Sequence, residues 1–255
     1  MISIIKVTHV GCCGFPVAKS KYYSLFDCVE VQQTFYQPPS VDTLKKWRRE
    51  APSNFIFTIK AWQALTHRSS SPTWKRINKK KIKGNIENYG DLRPTEENFY
   101  AWEVTLEAAK ALDAKIIVVQ TPPSFSCTDE NIKNMKDFFS SIKRDGLLIG
   151  WEPRGDWLDR PGIIKELVEE LNLLHIVDLL KTRPATSMGI LYTRLHGLGK
   201  SYVNYSYKYT DEDLHRLREI IEELSRSSRI KECYVMFNNK YMLDDALSFK
   251  KILVV

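Results

Sequence analysis

Short apolar runs recur along the chain, and each ends at or just before polar residues of the kind that do chemistry. The runs predict eight strands, at about 3–10, 29–33, 55–60, 115–120, 147–151, 174–178, 190–195 and 233–237. The run at 116–119 is continuously aliphatic, which is typical of a strand buried on both faces of a parallel sheet.

Apolar residues at helical spacing separate most of these strands. One helix is entered through Pro94-Thr95, a second has Thr128 as its N-cap, and a third begins at Pro161. A fourth follows Thr210, and a last helix covers about 242–253. Strands that alternate with helices predict an α/β fold, a (β/α)8 TIM barrel with a parallel eight-stranded core and polar groups at the strand ends.

Two connections depart from this pattern. A long, polar, non-periodic loop follows strand 3, at about 61–94, and a loop of that length is usually functional or disordered. Between strands 6 and 7, from 178 to 190, the helix is missing or irregular. No repeat or shift in composition divides the chain, so residues 1–255 are predicted to form a single domain.

Composition narrows the class of protein. The hydrophobic fraction of 43% supplies a sizeable core, and the formal net charge of +7 favours an anionic partner. The five cysteines lack the spacing of a disulfide scaffold, and no signal peptide or membrane-spanning run is visible. We therefore expect a cytoplasmic protein without a membrane partner, and the sequence leaves its oligomeric state open.

The strand ends resemble a known family. The motifs that carry the resemblance are EVQQTFY at 30–36, FTIK at 57–60 with Thr66-His67, QTPP at 120–123, EPR at 152–154 with Trp157, YTRLHG at 192–197 and FNN at 237–239. In this order they are similar to the DUF72 family, also called YecE-like proteins. The resemblance covers nearly the whole chain and implies a TIM barrel related in shape to endonuclease IV and to sugar isomerases. It implies no settled activity.

Three departures from the commoner bacterial pattern resemble an archaeal branch of the family. Cys12-Cys13 stands where small polar residues are usual, Gln32 stands where Asn is usual, and Pro153 lies inside the Glu-x-Arg motif. They leave open whether this branch shares the bacterial ligand.

The candidate site collects the polar residues of the strand ends at one rim. Glu30 and Glu152 are candidate acid/base groups or metal ligands, and His196 and His67 are candidate proton carriers. Lys60, Arg154 and Arg194 are the candidate anion clamp. The alternative is that the same carboxylates and cations form buried ion pairs, which also perturb pKa values. The full set of predicted ligand-binding residues is Gln32, Tyr36, Lys60, Gln120, Arg154, Asp178, Arg194, Asn238 and Asn239.

The sequence offers few metal ligands. The imidazoles are too few for an endonuclease IV-style zinc cluster, so one divalent metal ion held by Glu30, Glu152, Asp178 or His196 is the most that we expect. The thiols predicted at the same mouth are Cys12, Cys13 and Cys127. They fall one short of a four-thiolate iron–sulfur cluster.

A basic segment at 75–83 carries six cations in nine positions and lies in the long loop after strand 3. Aromatic residues accompany it, Trp62 and Trp74 before the segment and a tyrosine loop with Tyr202, Tyr205, Tyr207 and Tyr209. Together they predict a nucleic-acid-binding surface, whereas the alternative is a solvated charged loop. Its cations are Lys75, Arg76, Lys79, Lys80, Lys81 and Lys83. A glycine-rich turn after His196 is a second candidate for phosphate binding, with an ordinary tight turn as the alternative.

These observations predict a protein that binds a phosphorylated small molecule or a nucleic acid at the carboxyl ends of its strands. The expected chemistry is metal-assisted or acid–base hydrolysis of a phosphodiester. Two alternatives stay open, a non-catalytic nucleic-acid-binding protein and, by analogy of fold alone, an enzyme similar to sugar-phosphate isomerases.

Overall fold

The computed structural model describes residues 7–186, 188–227 and 230–254. The strands are β1 Val7–Cys13, β2 Cys28–Val31, β3 Ile56–Lys60, β4 Ile116–Gln120, β5 Leu148–Glu152, β6 Leu174–His175, β7 Ile190–Leu195 and β8 Glu232–Phe237. The α-helices are α1 Lys19–Leu25, α2 Gln33–Tyr36, α3 Val41–Glu50, α4 Glu96–Leu112, α5 Asp129–Ser141, α6 Pro161–Glu170, α7 Asp211–Ser227 and α8 Met242–Val254.

The strands belong to one eight-stranded sheet in the order β6-β5-β4-β3-β2-β1-β8-β7. The described pairs are parallel. This order, with helices between successive strands other than β6 and β7, confirms the predicted (β/α)8 class.

The chain divides into two compact units that interleave in sequence. The terminal unit comprises the described residues up to 30, residues 51–56, and those from 174 onward. The central unit comprises residues 31–50 and 57–173. The single domain expected for residues 1–255 stays a prediction.

In the terminal unit, β1 lies between β2 and β8, and β7 pairs with β8. Gly11 stands opposite both Cys28 and Met236, and Met236 stands opposite Arg194. Residues opposite each other in a parallel pair project from the same face, and side chains alternate along each strand. Glu30, two residues beyond Cys28, therefore shares a face with Arg194. On the other side, α8 packs against β1 and β8.

In the central unit, β4 lies between β3 and β5. Lys60 stands opposite Val118, and Gln120 stands opposite Glu152. By the same alternation, the side chains of Lys60, Gln120 and Glu152 project from one face of this part of the sheet. The fully buried run Ile116–Val119 confirms that β4 is covered on both faces.

Local signals place the helix ends where the sequence predicts them. The Thr128 side chain accepts a hydrogen bond from the Asn131 amide and caps α5. Thr95 caps α4 in the same way, through the amide of Asn98. Pro161 is the first residue of α6, where its missing N–H costs no helical hydrogen bond.

The connection after β3 is long, as predicted, but it is not irregular throughout. It contains four short 3₁₀ helices, Gln63–Leu65, Pro72–Arg76, Lys79–Lys81 and Ile86–Asn88. The Trp74 indole N–H donates to the His67 carbonyl over 2.8 Å, and both Trp74 and Tyr89 are buried. Turns of three to five residues are too short to leave a periodic pattern, so the sequence shows them only as a polar loop.

The connection between β6 and β7 also agrees with the prediction. Apart from Ser187, which lies outside the described residues, no helix separates these strands. The sixth strand is predicted at 174–178, but β6 covers only Leu174–His175. Beyond it, Val177 forms an isolated parallel bridge with Thr193.

The first strand ends three residues later than predicted. The apolar pattern predicts it at 3–10, yet β1 extends to Cys13, and residues 3–6 lie outside the described residues. Cys12 and Cys13 are therefore inside the strand rather than beyond its end. Within the described ranges, no helix combines the length and apolarity that crossing a bilayer requires.

Candidate functional site

The Glu30 cluster, formed by Glu30, Tyr192 and Arg194, lies on the terminal unit. Arg194 Nε and Nη2 donate to the two carboxylate oxygens of Glu30 over 3.0 and 2.8 Å. The Tyr192 hydroxyl donates to the same carboxylate over 2.8 Å. The side chains of Glu30 and Arg194 are 0% exposed. This bidentate arrangement fixes the carboxylate as an acceptor, which favours a positioning role over proton transfer.

The His196 cluster, formed by Asp178, His196 and Asn238, follows the ends of β6, β7 and β8. Asp178 accepts hydrogen bonds from the backbone amides of Leu180 and His196 and from Lys181 Nζ. Burial raises the pKa of Asp178, and the charge of Lys181 opposes that rise. The carboxylate thus holds the backbone that carries His196 in place.

The His196 ring is fully buried and meets the amide of Asn238, with 3.1 Å between Nδ1 and Asn238 Nδ2. With the amide nitrogen as donor, Nδ1 is the acceptor and the ring proton lies on Nε2. The Tyr205 ring stands 6.1 Å away and is 53% exposed. The adjacent Asn239 instead donates to the Tyr207 carbonyl and to Asp245, which gives it a structural role.

The Lys60 cluster, formed by Phe35, Lys60, His67 and Gln120, lies on the central unit. Lys60 Nζ donates to Gln120 Oε1 over 2.9 Å and stands 3.8 Å above the Phe35 ring. The His67 ring packs edge-on against the same phenyl ring and contacts the Thr66 hydroxyl. Burial, helped by the positive charge of Lys60, lowers the pKa of His67 to about 3. A histidine that stays neutral at pH 7 can hydrogen-bond but carries no imidazolium proton to transfer.

Glu152 and Arg154 follow the end of β5 as an ion pair. Arg154 Nη2 lies 2.5 Å from Glu152 Oε1, and the two side chains are 5% and 0% exposed. Gly155, which follows, has φ +69°, and a Cβ there would meet the Pro123 carbonyl oxygen at 2.8 Å. The tight turn holds the arginine at the strand end.

Gln32 and Tyr36 occupy the turn and short helix after β2 and are half-buried. Their backbone contacts differ, since the Gln32 carbonyl accepts from Phe35 N and the Tyr36 carbonyl accepts from Gln63 Nε2. The Arg76 guanidinium stacks 4.3 Å above the Tyr36 ring.

The basic segment 75–83 exposes its six cations to solvent. The neighbouring tryptophans do not offer the stacking surface that the sequence suggests, because Trp62 and Trp74 are 1% and 7% exposed. Sequence composition identifies aromatic residues but does not reveal which of them the loop buries. Tyr205 is the exposed aromatic residue of the predicted tyrosine loop.

The structure separates the two adjacent thiols. Cys12 Sγ lies 3.3 Å from the Met242 carbonyl oxygen, towards α8, and Cys13 points to the opposite face because side chains alternate along β1. Burial raises the pKa of Cys12 to about 12, and the pKa of Cys127 is raised by the same cause. Thiols on opposite faces of β1 do not favour one metal ion held by both Cys12 and Cys13, and the predicted thiol site stays a prediction. Among the described residues, no group of three or more His, Cys, Asp or Glu side chains is arranged to hold a metal ion.

In the glycine-rich turn after His196, the first backbone amide, that of Gly197, is already hydrogen-bonded within the protein. Gly197 N donates to the Tyr209 hydroxyl over 2.7 Å, and the backbone at Asn204 closes the turn. This favours the tight-turn interpretation over phosphate binding at that amide.

Two residues that sequence reasoning missed are Tyr192 and Lys181. Tyr192 stands two residues before Arg194 in β7, and Lys181 stands three residues after Asp178. The period of two along β7 was the signal for Tyr192, since it places Tyr192 and Arg194 on one face. Contact of Lys181 with Asp178 in a non-helical segment left no signal in the sequence.

The fold and the polar strand ends define the class of protein, a (β/α)8 barrel whose charged residues gather at the carboxyl ends of its strands. Residues 19–253 match the family described as "Protein of unknown function DUF72". The chain belongs to the DUF72 family.

Individual relatives agree with this assignment. The chain is 24% identical over 259 residues to the UPF0759 protein YunF of Bacillus subtilis (strain 168), covering 91% of this chain and 84% of YunF. A DUF72 family structure from Thermotoga maritima is 26% identical with a TM-score of 0.71, covering 98% of this chain and all of that one. Another from Enterococcus faecalis is 20% identical with a TM-score of 0.73 and covers 98% of both chains.

Likeness of fold extends to enzymes of other families. A D-psicose 3-epimerase structure has a TM-score of 0.55 at 14% identity, covering 92% of this chain and 90% of that one. Endonuclease IV from Thermus thermophilus has a TM-score of 0.54 at 9% identity, covering 96% and 98%. These values show a shared fold, and they confirm the relation in shape that the family resemblance implies.

Proposed function

We propose that the protein binds a phosphate-bearing ligand, a phosphorylated small molecule or a nucleic-acid strand, at the carboxyl ends of β3, β4 and β5. The observation that carries the proposal is the ammonium of Lys60. Its Nζ donates to Gln120 Oε1 over 2.9 Å and stands above the Phe35 ring, and its charge helps to lower the pKa of His67. An ammonium at the carboxyl ends of barrel strands, where this fold binds its ligands, is a point-charge donor suited to a phosphate.

The surroundings of Lys60 support binding more than acid–base chemistry. His67 is neutral and offers hydrogen bonds, and the buried Glu152 is engaged by Arg154. On the terminal unit, Glu30 is engaged in the same way by Arg194. Two carboxylates that each hold an arginine support the ion-pair interpretation of these residues. Hydrolysis of a phosphodiester is a further proposal beyond binding. Cleavage of a nucleic-acid strand by the wild type, and its loss in Glu152→Gln, would support it.

A second observation favours a nucleic-acid strand over a phosphorylated small molecule as the ligand. The exposed cations of the basic segment belong to the same unit as Lys60, and a nucleic-acid strand is the phosphate ligand that engages many cations at once. A sugar phosphate is the alternative that the epimerase-like fold favours, by analogy alone.

The test replaces one charge. Binding of a fluorescently labelled single-stranded DNA oligonucleotide, and its competition by glucose 6-phosphate and by glucose, is measured for wild type, Lys60→Met and the exposed α3 control Lys46→Met. Removal of one charge-assisted hydrogen bond weakens affinity by roughly tenfold or more. We expect that effect for Lys60→Met only, with competition by the phosphate ester and none by glucose. Equal binding by Lys60→Met and Lys46→Met would overturn the proposal.

A further inference from the structure

A pocket of about 340 Å³ lies inside the central unit, and its lining does not include Lys60, Phe35, His67 or Gln120. It is bounded by the start of α3, one side of α4 and the basic segment. Its volume is within the ~300–1,000 Å³ that is usual for small-molecule sites. Its apolar lining comes from Pro38, Pro39, Val41, Leu44, Val104 and Ala108.

Hydrogen-bond donors dominate the polar part of this α3–α4 pocket. Lys80, Lys81 and Lys83 line it, and so do the side chains of Gln37 and Trp62. Lys83 Nζ stands 4.3 Å above the ring of Tyr100, another lining residue, so this cation is held at the pocket.

Two of these donors are buried without a partner among the described residues. Trp62 is 1% exposed, and its Nε1 makes no hydrogen bond there. Gln37 uses its Oε1 to accept from the Asn78 amide over 2.9 Å, while its buried Nε2 makes no bond. A buried N–H that lacks an acceptor costs about 1–3 kcal/mol, and native structures contain few. A ligand that supplies acceptors would remove this cost.

We infer that the α3–α4 pocket binds a nucleoside monophosphate. Phosphate oxygens are the acceptors that three lysines and two N–H donors select together. The apolar lining with the Trp62 and Tyr100 rings suits a planar base. Glu107, the acidic residue of the lining, is the acceptor for a ribose hydroxyl or an exocyclic amine. This inference does not rest on the Lys60 site, because none of its residues lines that pocket.

The indole N–H of Trp62 gives a site-specific test. In a ¹H–¹⁵N spectrum each tryptophan side chain gives its own indole signal, and the Trp62 signal is assigned as the one that Trp62→Phe removes. Adenosine monophosphate, inorganic phosphate and adenosine are titrated separately. We expect the nucleotide to shift the Trp62 signal at lower concentration than either fragment. The Trp74 signal should stay in place, because that N–H already donates to His67.

A matched pair of charge substitutions locates the binding. Gln37→Glu keeps the acceptor for Asn78 but replaces the donor by a negative charge, and Gln33→Glu makes the same change at an exposed residue of α2. We expect Gln37→Glu to weaken nucleotide affinity tenfold or more and Gln33→Glu to change it less than twofold. Lys60→Met should leave the Trp62 response unchanged, which separates this site from the proposed strand-end site.

Three results would overturn the inference. They are an unshifted Trp62 signal at millimolar nucleotide, equal affinity for inorganic phosphate and adenosine monophosphate, and equal affinity of the two glutamate variants.

Discussion

Arg194 holds both carboxylate oxygens of Glu30, and neither side chain reaches solvent. Each residue is at the end of a different strand of the terminal unit, so the pair ties β2 to β7 across the strands between them. A buried pair of this kind stabilises little compared with an apolar pair of the same shape. Breaking it is costly, however, because one charge is left buried without its partner.

Removal of Arg194 should therefore destabilise the protein strongly. We expect Arg194→Met to lower the free energy of unfolding by about 3–5 kcal/mol, measured by urea denaturation. The double variant Glu30→Gln/Arg194→Met should recover part of that stability, because it leaves no buried charge. Lys133→Met removes one partner of the exposed pair with Asp137 and should cost less than about 1 kcal/mol. Equal destabilisation by Arg194→Met and Lys133→Met would contradict the buried pair.

The sequence could predict which strand ends carry charge, but not how those charges are used. Glu30, Arg194, Lys60 and Glu152 stand at the strand ends where the apolar pattern puts them. Whether a carboxylate at such a position is a proton donor or the partner of an arginine depends on contacts between strands far apart in sequence. No local pattern encodes those contacts.

The first strand ends three residues later than its apolar pattern predicts, and this changes the interpretation of the two adjacent thiols. The first apolar run begins before the described strand and β1 ends at Cys13, so the pattern does not mark the strand's carboxyl end. Adjacent residues in a strand face opposite sides, whereas adjacent residues in a loop can converge. A position beyond the strand would let Cys12 and Cys13 converge, whereas their position inside β1 does not favour a shared site. Burial of Trp62 and Trp74 was missed for a different reason, since short 3₁₀ helices have no recognisable period.

His67 should make stability depend on pH. Its folded pKa of about 3 is below the ordinary histidine value of 6.5, so the unfolded chain binds the proton more tightly. Its contribution is fully present above pH 6.5 and disappears as the pH falls towards 3. We expect the unfolding free energy of wild type to fall by about 2 kcal/mol more than that of His67→Gln between pH 7 and pH 5. Chemical denaturation at both pH values measures the difference.

The control for this pH dependence is His215→Gln, at an exposed position of α7. That variant should follow wild type across the same interval. If His67→Gln also follows wild type, His67 is not held neutral by burial.

The cysteines should differ sharply in reactivity towards a thiol reagent. Cys127 is half-buried, whereas Cys12, Cys13, Cys28 and Cys233 are buried. Reaction requires both access and the thiolate, and burial raises the pKa of Cys12 to about 12. With Ellman's reagent, we expect Cys127 to react first in the native protein and all five thiols to react in denaturant. Cys127→Ser should remove the early phase, and an early phase that survives would place a reactive thiol among the buried four.

The turn after His196 should tolerate no side chain at its first glycine. Gly197 has φ +79°, and a Cβ there would lie 2.0 Å from the Asn204 carbonyl oxygen. We expect Gly197→Ala to cost about 2 kcal/mol or more of unfolding free energy, from left-handed strain and from displacement of Asn204. Gly162→Ala, in the first turn of α6 with nothing within 4 Å, should be neutral or stabilising by less than about 1 kcal/mol. Thermal unfolding compares the two, and a similar melting temperature for both would contradict the closed turn.

The salt dependence of nucleic-acid affinity should show whether the basic segment contacts the strand. Log affinity falls linearly with log salt concentration, and for a single strand each phosphate that the protein no longer neutralises makes this slope shallower by about 0.7. Replacement of Lys75, Arg76 and Lys79 by Gln should therefore make the slope shallower by up to about 2. The control replaces Lys45, Lys46 and Arg49 of α3 by Gln, which removes the same charge from an exposed helix. If both triple variants reduce the slope equally, net charge alone attracts the strand. A reduction confined to the first triple variant assigns the phosphate contacts to the segment itself.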